Sequence, residues 1–447
     1  MKSIDINQKQ NNSSESSFLK PRGTRDYYAL NAKLLEKIYQ NFFYLSKKFS
    51  YQYIDSPIFE YNHIFDKSIG LNSDIVQHEM YKFYDRKNRQ FVLRPEATTG
   101  ILRLISQNKL FNDLPLKLSL IGPMFRYERP QFGRYRQFYQ ASFEVLSKDD
   151  DNHFFIIEGI ILAVTFLKRL NINNFKIHIS SLGSEEDVKK YNEILKKYFA
   201  NFKDSLCHLC IPRITQNPLR ILDCKNETNK DYILNAPRLE LSAKAQKDLE
   251  MVVEILKNNF NLKNSILIDP LIVRGLDYYQ GIVFEIKLVD DSFPEKNLTM
   301  IGGGCYKKIL NKFSIPESIT GFGFGVGVDR LIDYLQSQKK DHKLDNKICL
   351  TSFVDQDSFP EKEYWQIYNL FLQHNVYLFV NNMVSKSLKQ EINVAIKHNC
   401  SWLFFFKDNS WKEKVIFYKD LLNLSTPVQA ISFSELDNFL EKLKEDN

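Results

Sequence analysis

Residues suited to phosphate and ring chemistry gather between Gly122 and Glu144. Alternate side chains on a strand share a face, so Arg126 and Glu128 point one way on a first strand, and Phe138, Gln140, Ser142 and Glu144 share a face on a second. If those faces coincide, one sheet displays a cation, two carboxylates, an amide and an aromatic ring. Such a face is costly to bury in a core and fits a ligand with phosphate, ring and amino groups. The alternative is the solvated face of an antiparallel sheet. Further on, Gly321-Phe-Gly-Phe-Gly-Val-Gly-Val-Asp-Arg330 puts glycine at every second position, which bares one strand face to the close approach of a flat group. Arg330 falls in the first turn of the next helix. It opposes the helix dipole there, an arrangement that makes sense beside an anionic phosphate; an incidental arginine on a tightly packed sheet is the other reading. The spacing is not the dinucleotide-binding glycine fingerprint.

The elements that must position these residues follow from periodicity. Leu34, Leu35, Ile38, Phe42, Phe43 and Leu45 keep a helical period within 32–49, and residues 51–60 read as one strand carrying Pro57, which favours an edge or interface. Leu116, Leu118 and Leu120 alternate with polar partners, and alternation returns from Gln137 to Leu146 after the turn-like Arg-Pro-Gln-Phe-Gly, which predicts an antiparallel hairpin with a long loop. Residues 153–170 read as a helix on that sheet, and 184–260 as an inserted helical module. Strands are predicted at 266–269 and 281–289, and a helix at 329–335. After a hydrophilic linker at 336–347, strand-like runs at 376–380, 402–406 and 414–418 alternate with helical ones at 364–373, 386–397 and 434–443, which predicts a separate α/β domain over 348–447. The fold class is therefore α+β. The catalytic domain, 19–335, has a large antiparallel sheet flanked by helices.

With 447 residues and 43% apolar composition, the chain is long enough for two or more cores. Its net charge of +7 is uneven: from residue 341 on, 12 lysines and no arginine face 15 carboxylates, so a grip on phosphate belongs to the first three-quarters. Residues 1–18, rich in Asn, Ser and Gln, read as a disordered tail. The beginning of the chain shows no signal-peptide pattern, six cysteines do not form a disulfide scaffold, and the most apolar run, 154–167, is too short for a bilayer. A soluble cytoplasmic protein is expected, with no membrane partner. Cys207-His-Leu-Cys210 and Cys224 supply three possible zinc ligands, but no second pair or nearby histidine motif supplies a fourth, so no metal site is expected. Trp402, Phe404 and Phe406 are expected to be strand core.

Several stretches resemble one family. Residues 122–140 (GPMFRYERPQFGRYRQFYQ) look like motif 2 of class II aminoacyl-tRNA synthetases in its histidyl form. The helix and strand ending near Pro57 resemble motif 1, and residues 325–331 resemble motif 3. Arg22-Gly-Thr-Arg-Asp26, Leu93-Arg-Pro-Glu96-Ala-Thr98 and Val273-Arg274-Gly-Leu-Asp-Tyr278-Tyr279 are similar to histidyl-tRNA synthetase sequences, so the likeness runs from about residue 20 to 335. It implies ligation of L-histidine to tRNA(His) through a histidyl-adenylate, with ATP and Mg2+, by a homodimer joined through motif 1. By matching position, Arg126 and Arg274 would hold the α-phosphate and serve catalysis, with Arg274 also at the histidine carboxylate. Glu128 would take the adenine amino group, Phe138 would stack on adenine, and Arg134 and Arg330 would hold the outer phosphates. Glu96, Thr98 and Gln140 would hold the amino group and backbone of histidine. Glu144 and Tyr279, beside Tyr278, would take the imidazole nitrogens. The C-terminal domain stands where the family carries its anticodon-binding domain, a looser match.

Two departures stand out. The family's Arg-Tyr-Asp after Gly302–Gly304 is here Cys305-Tyr306-Lys307, and Asp329 replaces the usual motif 3 glutamate. Two other readings keep the fold without the reaction: a histidine-binding regulatory paralogue of ATP phosphoribosyltransferase, and a tRNA-binding protein that no longer activates an amino acid. The phosphate-facing set, Arg126, Glu128, Arg134, Arg274 and Arg330, favours the enzyme.

Overall fold

The structure, a computed structural model, describes residues 18–70, 73, 75–148, 152–224, 226–273, 278–294, 298–338, 347–352, 360–374, 376–381 and 387–445. It divides into two compact units, Met1–Lys339 and Lys340–Asn447. Of the expected tail, only Phe18 lies within the described residues.

In the first unit the strands are β1 (Gln52–Tyr53), β2 (Phe59–Tyr61), β3 (Lys82–Tyr84), β4 (Gln90–Leu93), β5 (Leu116–Phe125), β6 (Gln137–Lys148), β7 (Phe175–Ser181), β8 (Ile266–Ile268), β9 (Tyr279–Leu288), β10 (Thr299–Tyr306) and β11 (Ile319–Gly327). The helices are α1 (Ala29–Lys48), α2 (Asn62–Ile69), α3 (Thr98–Asn108), α4 (Asn152–Arg169), α5 (Glu185–Ala200), α6 (Cys210–Gln216), α7 (Lys230–Leu234), α8 (Ala243–Asn259), α9 (Lys308–Lys312) and α10 (Val328–Ser337). Eight strands form one sheet in the order β1-β5-β6-β11-β10-β9-β7-β8, antiparallel except for the parallel outer pairs β1/β5 and β7/β8. Strands β2, β4 and β3 form a separate small sheet.

Alternation decides which face does what. Ile121, Phe143, Val145, Phe322, Phe324 and Val326 point to one face and share a core with α1, α4, α8 and α10. Their neighbours along the strands point to the other face, where Leu118, Leu120, Leu146 and Tyr306 pack with α3 and α9. The candidate site residues of β6, Phe138, Gln140, Ser142 and Glu144, lie on this second face.

Residues 51–60 do not form one strand. Pro57 lacks an N–H, and the chain leaves the large sheet after Tyr53 and re-enters pairing in the small sheet at Phe59. Between them the Ile58 carbonyl accepts from the Arg94 N–H at 2.8 Å. The helical insertion also divides. Helices α5, α6 and α7 surround a core of their own containing Leu195, Phe199, Cys210 and Ile221, whereas Leu249, Val252, Val253 and Leu256 of α8 join the core of the large sheet. Helix α5 starts on a capping box: Ser184 Oγ accepts from the Asp187 N–H, and Asp187 accepts from the Ser184 N–H.

In the second unit, β12 (Lys347–Ser352), β13 (Tyr377–Val380), β14 (Trp402–Phe406), β15 (Val415–Asp420) and β16 (Gln429–Ser432) form a mixed sheet in the order β13-β12-β14-β15-β16. Its helices are α11 (Glu361–Gln373), α12 (Leu388–Lys397) and α13 (Phe433–Glu445). Phe404 and Phe406 are buried with α11 and α13, while Leu403 and Phe405 face α12, so aromatic residues of β14 fill cores on both sides of the sheet. Among the described residues no helix is long and apolar enough to cross a membrane.

Candidate active site

The site grows from the register of β6. Phe138, Gln140, Ser142 and Glu144 share its ligand face, opposite Met124, Gly122, Leu120 and Leu118 of β5. At about 3.3 Å per residue, Phe138 and Glu144 are about 20 Å apart along the strand, room for an amino acid joined to a nucleotide.

At the Glu144 end the groups are buried and tightly partnered. Glu144 is 2% exposed; Thr98 Oγ1 donates to one carboxylate oxygen at 2.6 Å and the Tyr306 hydroxyl to the other at 2.7 Å. Burial pushes its carboxyl up to about 8, assisted by the nearby Glu96 charge, while the Thr98 and Tyr306 hydrogen bonds work against the rise. Glu96, also 2% exposed, accepts from the Thr98 and Thr99 N–H groups at 2.7 and 2.8 Å, which satisfies two orphan donors at the start of α3. The Tyr278 ring is buried and lies 4.7 Å from Tyr279 and 5.9 Å from Tyr306. Its hydroxyl is buried and has no hydrogen-bond partner among the described residues. A polar atom in that state has capacity for a ligand. Tyr279 pairs in register with Tyr306.

The glycines of β11 do something different from the sequence expectation. Their bare face is not open to a flat ligand group, because protein side chains lie on it. A Cβ on Gly321 would meet the Tyr306 ring at 2.0 Å, one on Gly323 would meet Glu144 Oε2 at 1.7 Å, and one on Gly325 would meet Gln140 Nε2 at 2.6 Å. The glycines make room for Tyr306, Glu144 and Gln140.

At the other end of the face stands a cationic corner. Arg126 and Glu128 do not lie on a strand: β5 ends at Phe125, and the Glu128 N–H bonds back to the Arg126 carbonyl at 2.8 Å in a tight turn. Their side chains still meet, with Glu128 between Arg126 at 3.8 Å and Arg134 at 3.5 Å. Arg126 donates Nε to the Pro95 carbonyl at 3.0 Å and stands over the Phe138 ring, 5.4 Å from its centroid. Arg330, in the first turn of α10, donates to the Gly133 carbonyl at 3.1 Å and the Thr299 carbonyl at 2.6 Å, which ties α10 to the loop bearing Arg134. Gln140, midway, donates to Ser142 Oγ at 2.9 Å. Arg274 lies outside the described residues, as do Gly275, Leu276 and Asp277.

Sequence reasoning left several positioning residues without a role. Arg25 is hydrogen-bonded and ion-paired to Asp333, hydrogen-bonded to the Tyr135 hydroxyl and stacked on the Tyr135 ring. Asp329 accepts from the Tyr27 hydroxyl and from the Tyr139 N–H at 2.6 Å. Burial raises the carboxyls of Asp329 and Asp333 above their ordinary value even though Arg25 lowers both. Arg94, 2% exposed, donates to the Pro123 and Ser56 carbonyls and so fixes the turn between the two sheets. Tyr306 was noted in the altered glycine loop, but its bond to Glu144 was not foreseen. The signal for Arg25 was the stretch 22–26; nothing local marked its partners.

An antiparallel sheet with a buried carboxylate pocket at one end of a strand and a guanidinium corner at the other, closed by a helix bearing Arg330, defines a class II aminoacyl-tRNA synthetase catalytic unit. The profile of the family described as histidyl-tRNA synthetase matches residues 23–331. This chain belongs to the histidyl-tRNA synthetase family. Among curated relatives, the histidine–tRNA ligase of Mesomycoplasma hyopneumoniae is 36% identical over 409 residues, covering 91% of this chain and 92% of that protein. That of Malacoplasma penetrans is 35% identical over 434 residues, covering 95% and 98%. The solved apo S. aureus histidyl-tRNA synthetase superposes with a TM-score of 0.74 at 25% identity, covering 95% of this chain and all of that one.

Proposed function

We propose that this chain ligates L-histidine to tRNA(His) through a histidyl-adenylate, using ATP and releasing diphosphate and then AMP. The observation that carries the reading is the buried Glu144 carboxylate, clasped by Thr98 and Tyr306 on the same strand face that leads to Arg126, Glu128 and Arg134. In the first step a histidine carboxylate oxygen attacks the α-phosphorus and diphosphate leaves. Charge spreads over phosphoryl oxygens, so fixed guanidinium groups stabilise the transition state and no protein nucleophile is needed. In the second step a ribose hydroxyl at the tRNA terminus attacks the activated carbonyl and AMP leaves.

Arg126 and Arg274 hold the α-phosphate, and Arg134 and Arg330 the outer phosphates. Glu128 accepts from the adenine amino group and Phe138 stacks on the ring. Glu96, Thr98 and Gln140 hold the histidine amino group and backbone. Glu144 takes one imidazole nitrogen and Tyr279, with Tyr278, the other. A side chain lacking those two nitrogens leaves buried polar groups unpaired, which is the strongest form of rejection available to a pocket. Mg2+ enters on the phosphates of ATP. There it would offset phosphate charge together with Arg134 and Arg330.

Two chains associate through the motif 1 region. Phe43, Tyr44, Tyr53, Ile58 and Phe59 are large apolar residues exposed there, beside the edge strand β1, and an apolar patch at a sheet edge favours association. Thiols free of disulfides suit a reducing cytoplasm.

Histidine-dependent exchange of labelled pyrophosphate into ATP tests the activation step. Folded protein without exchange would end this reading in favour of a binding protein. Arg274→Ala should abolish exchange while circular dichroism stays unchanged; exchange that survives it would remove Arg274 from the site.

A further inference from the structure

Three cysteines of the inserted module converge although they are spread over residues 207–224. Cys210 opens α6, Cys207 precedes it, and Cys224 follows Ile221 by three positions. Their sulfurs all lie within 4.8 Å of one another, with Cys207 Sγ 3.8 Å from Cys224 Sγ. Thiolates about 2.3 Å from a tetrahedral zinc ion stand about 3.8 Å apart, so this pair already has the spacing of two ligands on one ion.

Asn229 adds a second observation. Its Nδ2 lies 3.1 Å from each of the three sulfurs. A point equidistant from three atoms lies on the axis through their triangle, the direction from which a fourth ligand approaches. An amide nitrogen carries two hydrogens and cannot serve three sulfurs at once, whereas a cation can. Arg213 is also near, 3.9 Å from Cys210 Sγ, where its charge offsets the excess negative charge that three thiolates leave on a divalent ion.

We propose that Cys207, Cys210 and Cys224 bind Zn2+ as thiolates, with the fourth position on the side that Asn229 covers. Each thiol gives its proton to solvent as its bond to zinc forms, so binding tightens as pH rises. The ion would staple a module whose helices α6 and α7 have only 7 and 5 residues and whose own core is small. The sequence showed three ligands without a fourth and gave no sign that Cys224 folds back onto Cys207 and Cys210.

The test uses the full chain, reduced, stripped with a chelator, loaded with Zn2+ alone and freed of excess metal by gel filtration. Elemental analysis should find about one zinc per chain, and the thermal midpoint should rise on loading. Cys207→Ser and Cys224→Ser should each lower retained zinc about tenfold or more, while Asn229→Ala, which keeps all three thiolates, and Cys305→Ser, outside the cluster, should retain it. Co2+ in place of Zn2+ should give thiolate-to-metal charge-transfer absorption in the wild type and none in Cys224→Ser. Zinc uptake unchanged by the Cys207 and Cys224 substitutions overturns the proposal. So does folded wild-type protein that takes up no zinc and shows no cobalt–thiolate absorption, which decides the matter even if the serine variants fail to fold.

Discussion

Glu144 is held almost entirely by protein. Desolvation moves its carboxyl from an ordinary 4.5 to about 8, so between those values the folded chain keeps a proton that the unfolded chain has lost. Stability therefore falls as pH rises through that window, the reverse of a salt-bridged carboxylate. Glu144→Gln should remove that slope from the pH dependence of the unfolding midpoint in urea, and should lower kcat/KM for histidine in exchange by roughly 10- to 100-fold. Tyr306→Phe deletes one of the two hydrogen bonds that restrain the shift, so the slope should extend to higher pH, with a stability loss of about 1–3 kcal/mol from an unsatisfied buried oxygen. Arg126→Ala should lower kcat for exchange by roughly 100- to 1000-fold, as loss of one transition-state charge donor does, with the unfolding midpoint little changed.

At the scale of elements, β11 and α10 do the positioning. The β11 glycines clear space for Tyr306, Glu144 and Gln140, so the cost of adding a methyl there falls on the site. Gly323→Ala places a Cβ 1.7 Å from Glu144 Oε2, and that carboxylate is already fixed by two hydrogen bonds. We expect loss of histidine-dependent exchange together with destabilisation of about 1–3 kcal/mol in urea titrations. Helix α10 is bound to the segment bearing Arg25 through the buried pair with Asp333, whose side chains are 13% and 5% exposed. Asp333→Asn leaves the guanidinium with only its longer ion pair to Asp329 at 3.7 Å; a loss of about 1–3 kcal/mol is expected in the same titration. The Arg25 segment also closes over the loop bearing Arg134. Gly23 adopts a left-handed φ of 83°, and a Cβ there would lie 2.9 Å from Arg136 and Pro130.

For the whole molecule, the two units have separate cores. The second has a five-stranded sheet with buried residues on both faces, enough for it to fold alone. Residues 340–447 expressed by themselves should unfold in one cooperative thermal transition, followed by circular dichroism; a featureless melt would show that this unit depends on the rest of the chain. Its 13 lysines against 15 carboxylates predict weak, shallowly salt-dependent binding to unspecific RNA.

Period-two alternation made the β5/β6 hairpin legible, because a sheet with two different faces forces that pattern on its sequence. In the second unit the three helices and β13, β14 and β15 were legible from their own periods, but β12, which begins inside the expected linker, and β16 were not, and the family's motifs pointed to most of the candidate site. The errors were local. A proline splits what looked like one strand between two sheets, and Arg126 and Glu128 meet through a turn rather than along a strand. What the residues by themselves determined was therefore the family, many of the elements and the two faces of β5 and β6, while α2, β3, β4 and α3 went unmarked. Only the tertiary structure decided that Thr98, Tyr306 and Glu144 touch, that the glycine face of β11 is filled rather than open, that Arg25 meets Asp333, and that three cysteines share one point. Those contacts join residues far apart in the chain, and periodicity records only which way a side chain points, not what folding brings to meet it.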